Sequence, residues 1–415
     1  MTHLQRHVKA RALEALHDTR IVVIQGARQV GKTTLVQEIL THVGGQYVTL
    51  DDPSIRAAAQ LDPVGFVMQN RTGLLAIDEV QRVPELMLAL KLEVDRDPRP
   101  GRFLITGSAD LLRLPTVEDS LAGRAESIEL HGFSQGELNQ HLEQFIDHTF
   151  ANNIVTHHTS QLGRTDYLER AMAGSFPEAI NRSPGRRRQD WLDNYLTRIT
   201  ERDAPDISSL RSIPELSLVL RLIAAQNSGE LNTAKLSQRS GIPTTSLTRL
   251  LALLETLYLV QRIPAWSTNL TKRVVARPKV ALLDTGMAAR LQNVSPASAS
   301  PDVSPTLAGH LLEGFVAGEL RRQQAWAEEV VQLCHFRDRS AGEVDLVLES
   351  IDGRVVGIEV KAAATVGAKD VRGLGLLRDR LGARFIRGYV LYTGAESVPF
   401  GDRITAAPLD LLWSS

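Results

Sequence analysis

Gly26, Ala27, Arg28, Gln29, Val30, Gly31, Lys32 and Thr33 follow the apolar run Ile21-Val22-Val23-Ile24 after a single residue, Gln25. This G-x-x-x-x-G-K-T spacing builds a cradle for the phosphates of a nucleoside triphosphate such as ATP. A Gly-rich turn lets backbone N–H groups face phosphate oxygens with no Cβ between them, and the helix that follows adds its positive N-terminal end. Lys32 then reaches the β- and γ-phosphates as a point charge, the Thr33 hydroxyl takes a position on Mg²⁺, and Thr34 completes the binding segment. The ordinary alternative is a Gly-containing turn in any βα unit; the complete motif behind a strand outweighs it.

A second set of residues fits the same chemistry. Leu74-Leu75-Ala76-Ile77 reads as a buried strand ending in Asp78 and Glu79. Hydrolysis needs a metal that neutralises phosphate charge and a carboxylate that orients water, and these are the roles expected of Asp78 and Glu79. The strand Phe103-Leu104-Ile105-Thr106-Gly107 leads to Ser108, so Thr106 or Ser108 can sense the γ-phosphate or the water. Arg124 is a candidate arginine finger, acting within the chain or from a neighbouring copy in a homo-oligomer, although a surface arginine is the commoner explanation.

The segments GARQVGKTTL, LLAIDEVQ, FLITGS and LAGRAESIELHGFS together resemble a bacterial and archaeal branch of the AAA-type P-loop ATPases. The resemblance continues through GSFPEAI and KVALLDTGMAARL and so covers most of the chain. It implies an α/β ATPase core with phosphate and metal roles on Lys32, Thr33, Asp78 and Glu79, followed by a C-terminal domain of uncertain function.

A third constellation lies far from the first two. Glu343-Val344-Asp345-Leu346-Val347-Leu348 and Val355 to Lys361 read as a hairpin, with Glu359-Val360-Lys361 at its end and Glu313 on the preceding helix. An acid followed by E-x-K is similar to the active-site core of restriction-endonuclease-like nucleases. Alternation places Glu359 and Lys361 on one sheet face. A two-residue turn at Asp352-Gly353 would pair Asp345 with Val360, on the wrong face for chelation. A three-residue turn over Ile351, Asp352 and Gly353, with Gly353 left-handed, would pair Asp345 with Glu359. The nuclease reading therefore predicts the longer turn, with Asp345, Glu359 and Glu313 around Mg²⁺ and Lys361 activating water or stabilising developing charge.

The elements that must position these groups set the expected organisation. At 415 residues, 43% hydrophobic and 23% charged, the chain is expected to form several soluble domains. The fold class is α/β: an AAA-type P-loop core with a parallel sheet over residues 1–134, and a helical connector over 135–206. A winged-helix module over 207–290 follows, then a Pro/Ser-rich linker over 291–306 and a restriction-endonuclease-like α/β domain over 307–415. In the connector, Trp191, Leu192, Tyr195, Leu196 and Ile199 form an amphipathic stripe. His141, His148, His157 and His158 match no metal spacing. In the winged-helix reading, Thr233 to Ser240 and Thr244 to Thr256 are the two helices, and Leu247, Leu250, Leu251 and Leu254 are the core stripe.

No run is long and apolar enough for a membrane span, no secretory h-region opens the chain, and the single Cys334 cannot form an internal disulfide; these point to the cytoplasm and to no membrane partner. The net charge of −1 supplies no global field toward nucleic acid. Contact with nucleic acid, DNA first, must then rest on local patches: Arg182, Arg186, Arg187, Arg188, Arg198 and Arg202, and Lys272, Arg273, Arg277 and Lys279. With Lys272 and Arg273 on phosphates, Thr245, Ser246, Thr248 and Arg249 would approach the groove. The leading expectation is an ATPase whose turnover gates action on nucleic acid by a nuclease-like domain. The alternative is a nucleotide-dependent switch or DNA-binding protein whose C-terminal domain is an inactive partner platform.

Overall fold

The computed structural model describes residues 4–108, 121–151, 157–207, 213–295, 298, 305–338 and 342–414. The chain divides into two compact units, Met1–Phe133 with Thr256–Tyr258, and Ser134–Glu255 with Leu259–Ser415. Much of the expected Pro/Ser-rich linker lies outside the described residues.

The first unit is built on five parallel strands, β1 (Ile21–Gln25), β2 (Gln46–Thr49), β3 (Leu75–Asp78), β4 (Phe103–Gly107) and β5 (Ala125–Glu129), in the order β2-β3-β4-β1-β5. Every residue of β1, β3 and β4 is buried, which is why these strands read as continuous apolar runs. Ile21, Val23, Ile77 and Ile105 share one core with Leu86 and Leu90 of the helix Leu86–Arg96. The topology puts β4 between β1 and β3, so the C-terminal ends of three neighbouring strands carry the phosphate loop, the acids Asp78 and Glu79, and the hydroxyls Thr106 and Ser108. The connection that follows β2 contains two helices, Pro53–Leu61 and Pro63–Val67. Pro63 cannot continue the first helix, and the Asp62 carboxylate caps the second by accepting from Gly65 N at 2.8 Å.

The second unit opens with Ser134, whose hydroxyl accepts from Glu137 N while the Glu137 carboxylate returns to Ser134 N, a capping box on the helix Gln135–Asn139. Leu192, Tyr195, Leu196 and Ile199 are buried along and just past the helix Arg186–Arg198, and Trp191 stacks on Tyr195 at 5.1 Å. His158 and Ser160 both bind Asp410, at 2.9 and 2.7 Å, tying the helical region to the C-terminal end. A smaller group follows in the order helix Ile213–Ala224, β6 (Gly229–Glu230), helices Thr233–Ser240 and Thr244–Thr256, β7 (Val260–Ile263) and β8 (Lys279–Leu282). Its antiparallel sheet runs β6-β8-β7, and the leucines of the last helix, Leu247, Leu250, Leu251 and Leu254, are buried as expected.

Asp284 fastens this group to the helical region. Its carboxylate accepts from Ser175 N and Ser175 Oγ, both at 2.7 Å, and caps the next helix by accepting from Met287 N at 2.8 Å. The segments GSFPEAI and LLDTGMAARL are thus two halves of one buried joint.

The C-terminal region is a six-stranded mixed sheet of β9 (Val331–Asp338), β10 (Gly342–Ser350), β11 (Val355–Lys361), β12 (Phe385–Tyr392), β13 (Val398–Pro399) and β14 (Ile404–Pro408), ordered β13-β14-β12-β11-β10-β9. The helix Arg372–Leu381 packs its Leu374 and Leu377 on this sheet. It lies close because Gly373 has no side chain; a Cβ there would sit 2.1 Å from the Glu343 carbonyl oxygen.

Candidate functional site

The phosphate loop is shaped by its glycines and held from outside. Gly26 has φ +155°, and a Cβ on it would fall 2.0 Å from the Leu130 carbonyl oxygen, so only glycine fits between β1 and the chain leaving β5. Gly31 (φ +100°) and Gln29 (φ +63°) complete the turn. Arg6 donates to Val30 O at 2.8 Å and to His131 O at 2.5 Å, clamping the loop from the N-terminal segment. Ala27 and Val30 are buried, Arg28 is half-buried, and Gln29 and Thr34 are exposed. Lys32 is buried, and its ammonium donates to Gly26 O at 3.0 Å and Ala27 O at 2.9 Å, inside the turn.

The acids converge on the same place. Asp78 Oδ2 accepts from Thr33 Oγ1 and from the Tyr47 hydroxyl, each at 2.9 Å, and Oδ1 accepts from Thr106 Oγ1 at 2.5 Å. Burial, with the Asp78 charge beside it, pushes the Tyr47 phenol well above its ordinary value, so Tyr47 stays a neutral donor. Thr106 Oγ1 also accepts from Glu79 N at 2.9 Å. Glu79 adopts the left-handed conformation at φ +59°, a geometry that non-glycine residues keep where the surroundings enforce it. Its carboxylate accepts from Gln81 Nε2 at 2.5 Å and from Ser108 Oγ at 3.1 Å, and Gln81 also donates to Ser108 at 2.9 Å. Among the described residues no cation pairs with Asp78 or Glu79. Thr33 Oγ1 and the Asp78 carboxylate form an adjacent set of hard oxygen donors, which fits a Mg²⁺ ion that keeps most of its waters.

Arg124 points its guanidinium at Asp95 of the helix Leu86–Arg96, with bonds of 2.6 and 2.9 Å. Gln81 and Tyr47 were missed in the sequence. Gln81 could have been noticed as an amide two residues past the second acid; Tyr47 has no comparable signal.

The C-terminal constellation is also assembled, around a group not foreseen. The β10–β11 hairpin pairs Leu346 with Ile358 and turns over Ile351, Asp352 and Gly353, with Gly353 at φ +82°. This is the longer of the two turns considered, and it sets Asp345 beside the Glu359 end of β11. The pairing of β10 with β9 shifts register between Val344 and Val347, at Asp345 itself. Asp345 Oδ2 accepts from Val360 N at 2.9 Å, and Lys361 Nζ donates to Glu359 Oε1 at 2.7 Å. The helix Pro305–Gln323 presents Glu313, which is buried.

At the centre is Lys279, the first residue of β8. Its ammonium lies 2.7 Å from Glu313 Oε1, 2.9 Å from Glu343 Oε1 and 3.5 Å from Asp345 Oδ1. Burial works against this charge, yet Glu313, Asp345 and Glu343 outweigh it and hold the ammonium above its ordinary range. Burial and the Asp345 charge push the Glu313 carboxyl up to about 8, and the same two causes push Glu359 to about 8. Among the described residues, no group of three or more His, Cys, Asp or Glu is arranged to hold a metal ion. Glu313 Oε1 and Asp345 Oδ1 already face the Lys279 ammonium and Asp345 Oδ2 faces Val360 N–H, so the residues as arranged do not fit one.

The basic patches are engaged only in part: Arg186, Arg187, Arg198, Arg202, Lys272 and Arg277 are exposed, whereas Arg182, Arg188, Arg273 and Lys279 are held by partners. Arg273 forms a two-bond ion pair with Glu349, one contact at 2.8 Å, and lies 5.2 Å from the Trp266 ring centre, so it is not available for phosphate. Arg182 binds Glu178 at 2.7 Å, and Arg188 donates to Ala179 O at 3.1 Å. Lys272, Thr245, Thr248 and Arg249 are exposed, and Ser246 is half-buried. No described helix is long and apolar enough to cross a membrane.

Comparison with known proteins finds three matched regions. Residues 18–139 match an AAA domain, residues 164–298 a domain of unknown function (DUF8612) and residues 308–412 another (DUF4143). The uncharacterized protein Rv2008c of Mycobacterium tuberculosis is 28% identical over 406 residues, spanning 98% of this chain and 84% of that protein; Mb2031c of Mycobacterium bovis gives the same figures. Among solved structures, the Holliday junction branch migration motor RuvB of Thermotoga maritima is 17% identical, covering 62% of this chain and 87% of that one at a TM-score of 0.24. AMPPCP-bound DnaA of Aquifex aeolicus is 15% identical, covering 60% and 86% at a TM-score of 0.26. The chain has an N-terminal AAA-type P-loop ATPase domain followed by two domains of unknown function.

Proposed function

We propose that the chain is a Mg²⁺-dependent ATPase whose turnover switches a nucleic-acid-binding second unit. One observation carries the hydrolytic part. Glu79 is held by Gln81 and Ser108 next to an Asp78 that is bonded to Thr33 of the phosphate loop. Bound Mg²⁺ supplies charge neutralisation for the phosphates. Lys32 exchanges its two loop carbonyls for phosphate oxygens, and the loop N–H groups bind the rest of the chain of phosphates. Glu79, positioned by its amide and hydroxyl donors, orients the attacking water and takes its proton. Thr106 couples the two acids, since one hydroxyl contacts the Asp78 carboxylate and the Glu79 backbone.

The nucleic-acid part is supported by the order of elements from Ile213 to Leu282, which is that of a winged helix, with Thr245, Thr248 and Arg249 exposed on its second helix of the turn. A second reading, cleavage by a restriction-endonuclease-like C-terminal domain, is favoured by the three-residue turn that sets Asp345 beside Glu359 and opposed by Lys279, whose ammonium stands among the acids where a metal would bind.

The test is ATP hydrolysis by the full chain with and without Mg²⁺, beside Glu79→Gln. The expected result is Mg²⁺-dependent turnover, reduced about 100-fold or more in Glu79→Gln with nucleotide binding retained. Equal turnover by the two proteins removes Glu79 from the chemistry. Plasmid and oligonucleotide substrates with Mg²⁺ or Mn²⁺, compared between the natural chain and Asp345→Ala, decide the second reading.

A further inference from the structure

The acid-rich cleft of the C-terminal region is electrostatically closed by its own side chains. It has a volume of about 430 Å³ and contains Glu230, Glu313, Glu343, Asp345 and Glu359, and each has a basic partner. Glu313, Glu343 and Asp345 face Lys279; Arg337 sits 3.1 Å from Glu230 and 3.9 Å from Glu343; Lys361 sits 2.7 Å from Glu359.

Lys279 differs from the other cations of the cleft. Its side chain is 3% exposed, whereas those of Arg337 and Lys361 are 50% and 30% exposed. It is delivered by β8, paired on both sides with β6 and β7, so its backbone is fixed by a sheet outside the nuclease-like one. An ammonium with oxygens at 2.7 and 2.9 Å occupies the centre that a divalent cation would need, and two cations cannot share those oxygens at contact distance.

We propose that Lys279 is a tethered cation standing in for the divalent metal of this acid cluster, so that the natural chain takes up no metal there and removal of the ammonium creates a metal site. The consequence is a C-terminal domain built on an acid, E-x-K framework whose charge is satisfied internally. This inference concerns metal uptake alone and is independent of ATP turnover, so either can fail without the other.

The experiment is titration of the full chain with Mn²⁺ in the absence of nucleotide, following free Mn²⁺ by electron paramagnetic resonance. Five proteins are compared: the natural chain, Asp345→Asn, Lys279→Met, Lys279→Arg, and Lys279→Met with Asp345→Asn. The natural chain and Asp345→Asn should bind Mn²⁺ identically, because Asp345 contributes no site. Lys279→Met should gain one site at least tenfold tighter than anything in the natural chain, and the added Asp345→Asn change should abolish it. Lys279→Arg, which keeps the charge, should gain nothing. Burying the acids without their cation can prevent folding. Lys279→Gln, which retains a hydrogen-bond donor, then replaces Lys279→Met, and circular dichroism confirms the fold. Asp345-dependent Mn²⁺ binding by the natural chain overturns the proposal whatever the variants do, and so does a folded Lys279→Met or Lys279→Gln protein with no added site.

Discussion

The chain contains two places where acids and a buried lysine are brought together, and they spend their charge differently. At the ATPase site, Lys32 rests on the carbonyls of Gly26 and Ala27, while Asp78 and Glu79 are held by hydroxyls, an amide and a phenol. In the C-terminal cleft, Lys279 rests on the carboxylates themselves. Neutral donors fix the direction of a carboxylate without cancelling its charge, so the first arrangement keeps its acids ready for an incoming metal. The second has its cation installed. The presence of acids and a lysine at suitable spacing is therefore a weaker indicator of metal chemistry than the identity of the groups that hold the acids.

The comparison breaks most sharply at Thr106. Its hydroxyl is fully buried and joins Asp78 to the Glu79 backbone, so Thr106→Val leaves a carboxylate oxygen and an N–H each short of a partner. A loss of about 1–3 kcal/mol for such unsatisfied groups is expected. On the proposed mechanism ATP turnover should fall roughly tenfold or more, since Glu79 is no longer fixed relative to Asp78. Steady-state kinetics and chemical denaturation on the same variant check both. Unchanged turnover would mean that Gln81 and Ser108 suffice to position Glu79.

A smaller effect sharpens the other side of the comparison, the cost of burying acids with internal partners. Glu319 is 1% exposed, accepts from Gln135 N at 3.0 Å and pairs with Arg322 at 3.1 Å. Burial pushes its carboxyl up to about 8 in spite of Arg322. The folded chain therefore holds a proton there that the unfolded chain releases near the ordinary carboxyl value, about 4.5. Stability carried by this proton is present at low pH and is lost as pH rises through the folded value. The melting temperature of Glu319→Gln should consequently fall less than that of the natural chain between pH 5 and pH 8, by a few degrees. Parallel melting curves for the two proteins across that range would take Glu319 out of the pH dependence.

What was legible in the sequence follows the same division between local and non-local causes. The phosphate loop, the strand ending in Asp78 and Glu79 and the leucine stripe of Thr244–Thr256 are local patterns, and the structure has each element where the pattern puts it. The three-residue turn was within reach because register and face are linked by the period of a strand. In the sequence Lys279 belongs to a basic patch and opens the segment KVALLDTGMAARL. Nothing near it in sequence says that its ammonium meets acids from the helix Pro305–Gln323 and from β10. Arg273, assigned to phosphate, is likewise claimed by Glu349 across 76 residues. The joint between Ser175 and Asp284, 109 residues apart, has the same character. Each is a pairing that only the assembled fold creates. The break at Asp62-Pro63 is different, because its signal is local and Asp-Pro marks helix boundaries on its own.

The smallest expected effect concerns Arg124, a cation whose charge is directed at Asp95 on its own unit. The bond to Arg124 comes first among the causes that hold Asp95 below its ordinary range, and Arg124 is raised in return by its bond to Asp95. Both groups are solvent-accessible, so water and salt screen the pair. If Arg124 serves only this pair, Arg124→Ala should leave the melting temperature and the ATP turnover close to those of the natural chain, and Asp95→Ala should behave alike. If Arg124 is instead a finger supplied to a neighbouring copy, turnover of the natural chain should rise with protein concentration. Asp95→Ala, which frees the guanidinium, should then keep or increase that rise while Arg124→Ala abolishes it. Turnover per chain measured across a hundredfold range of protein concentration separates the two. The opposite responses of the two alanine variants make the result independent of any general loss of stability.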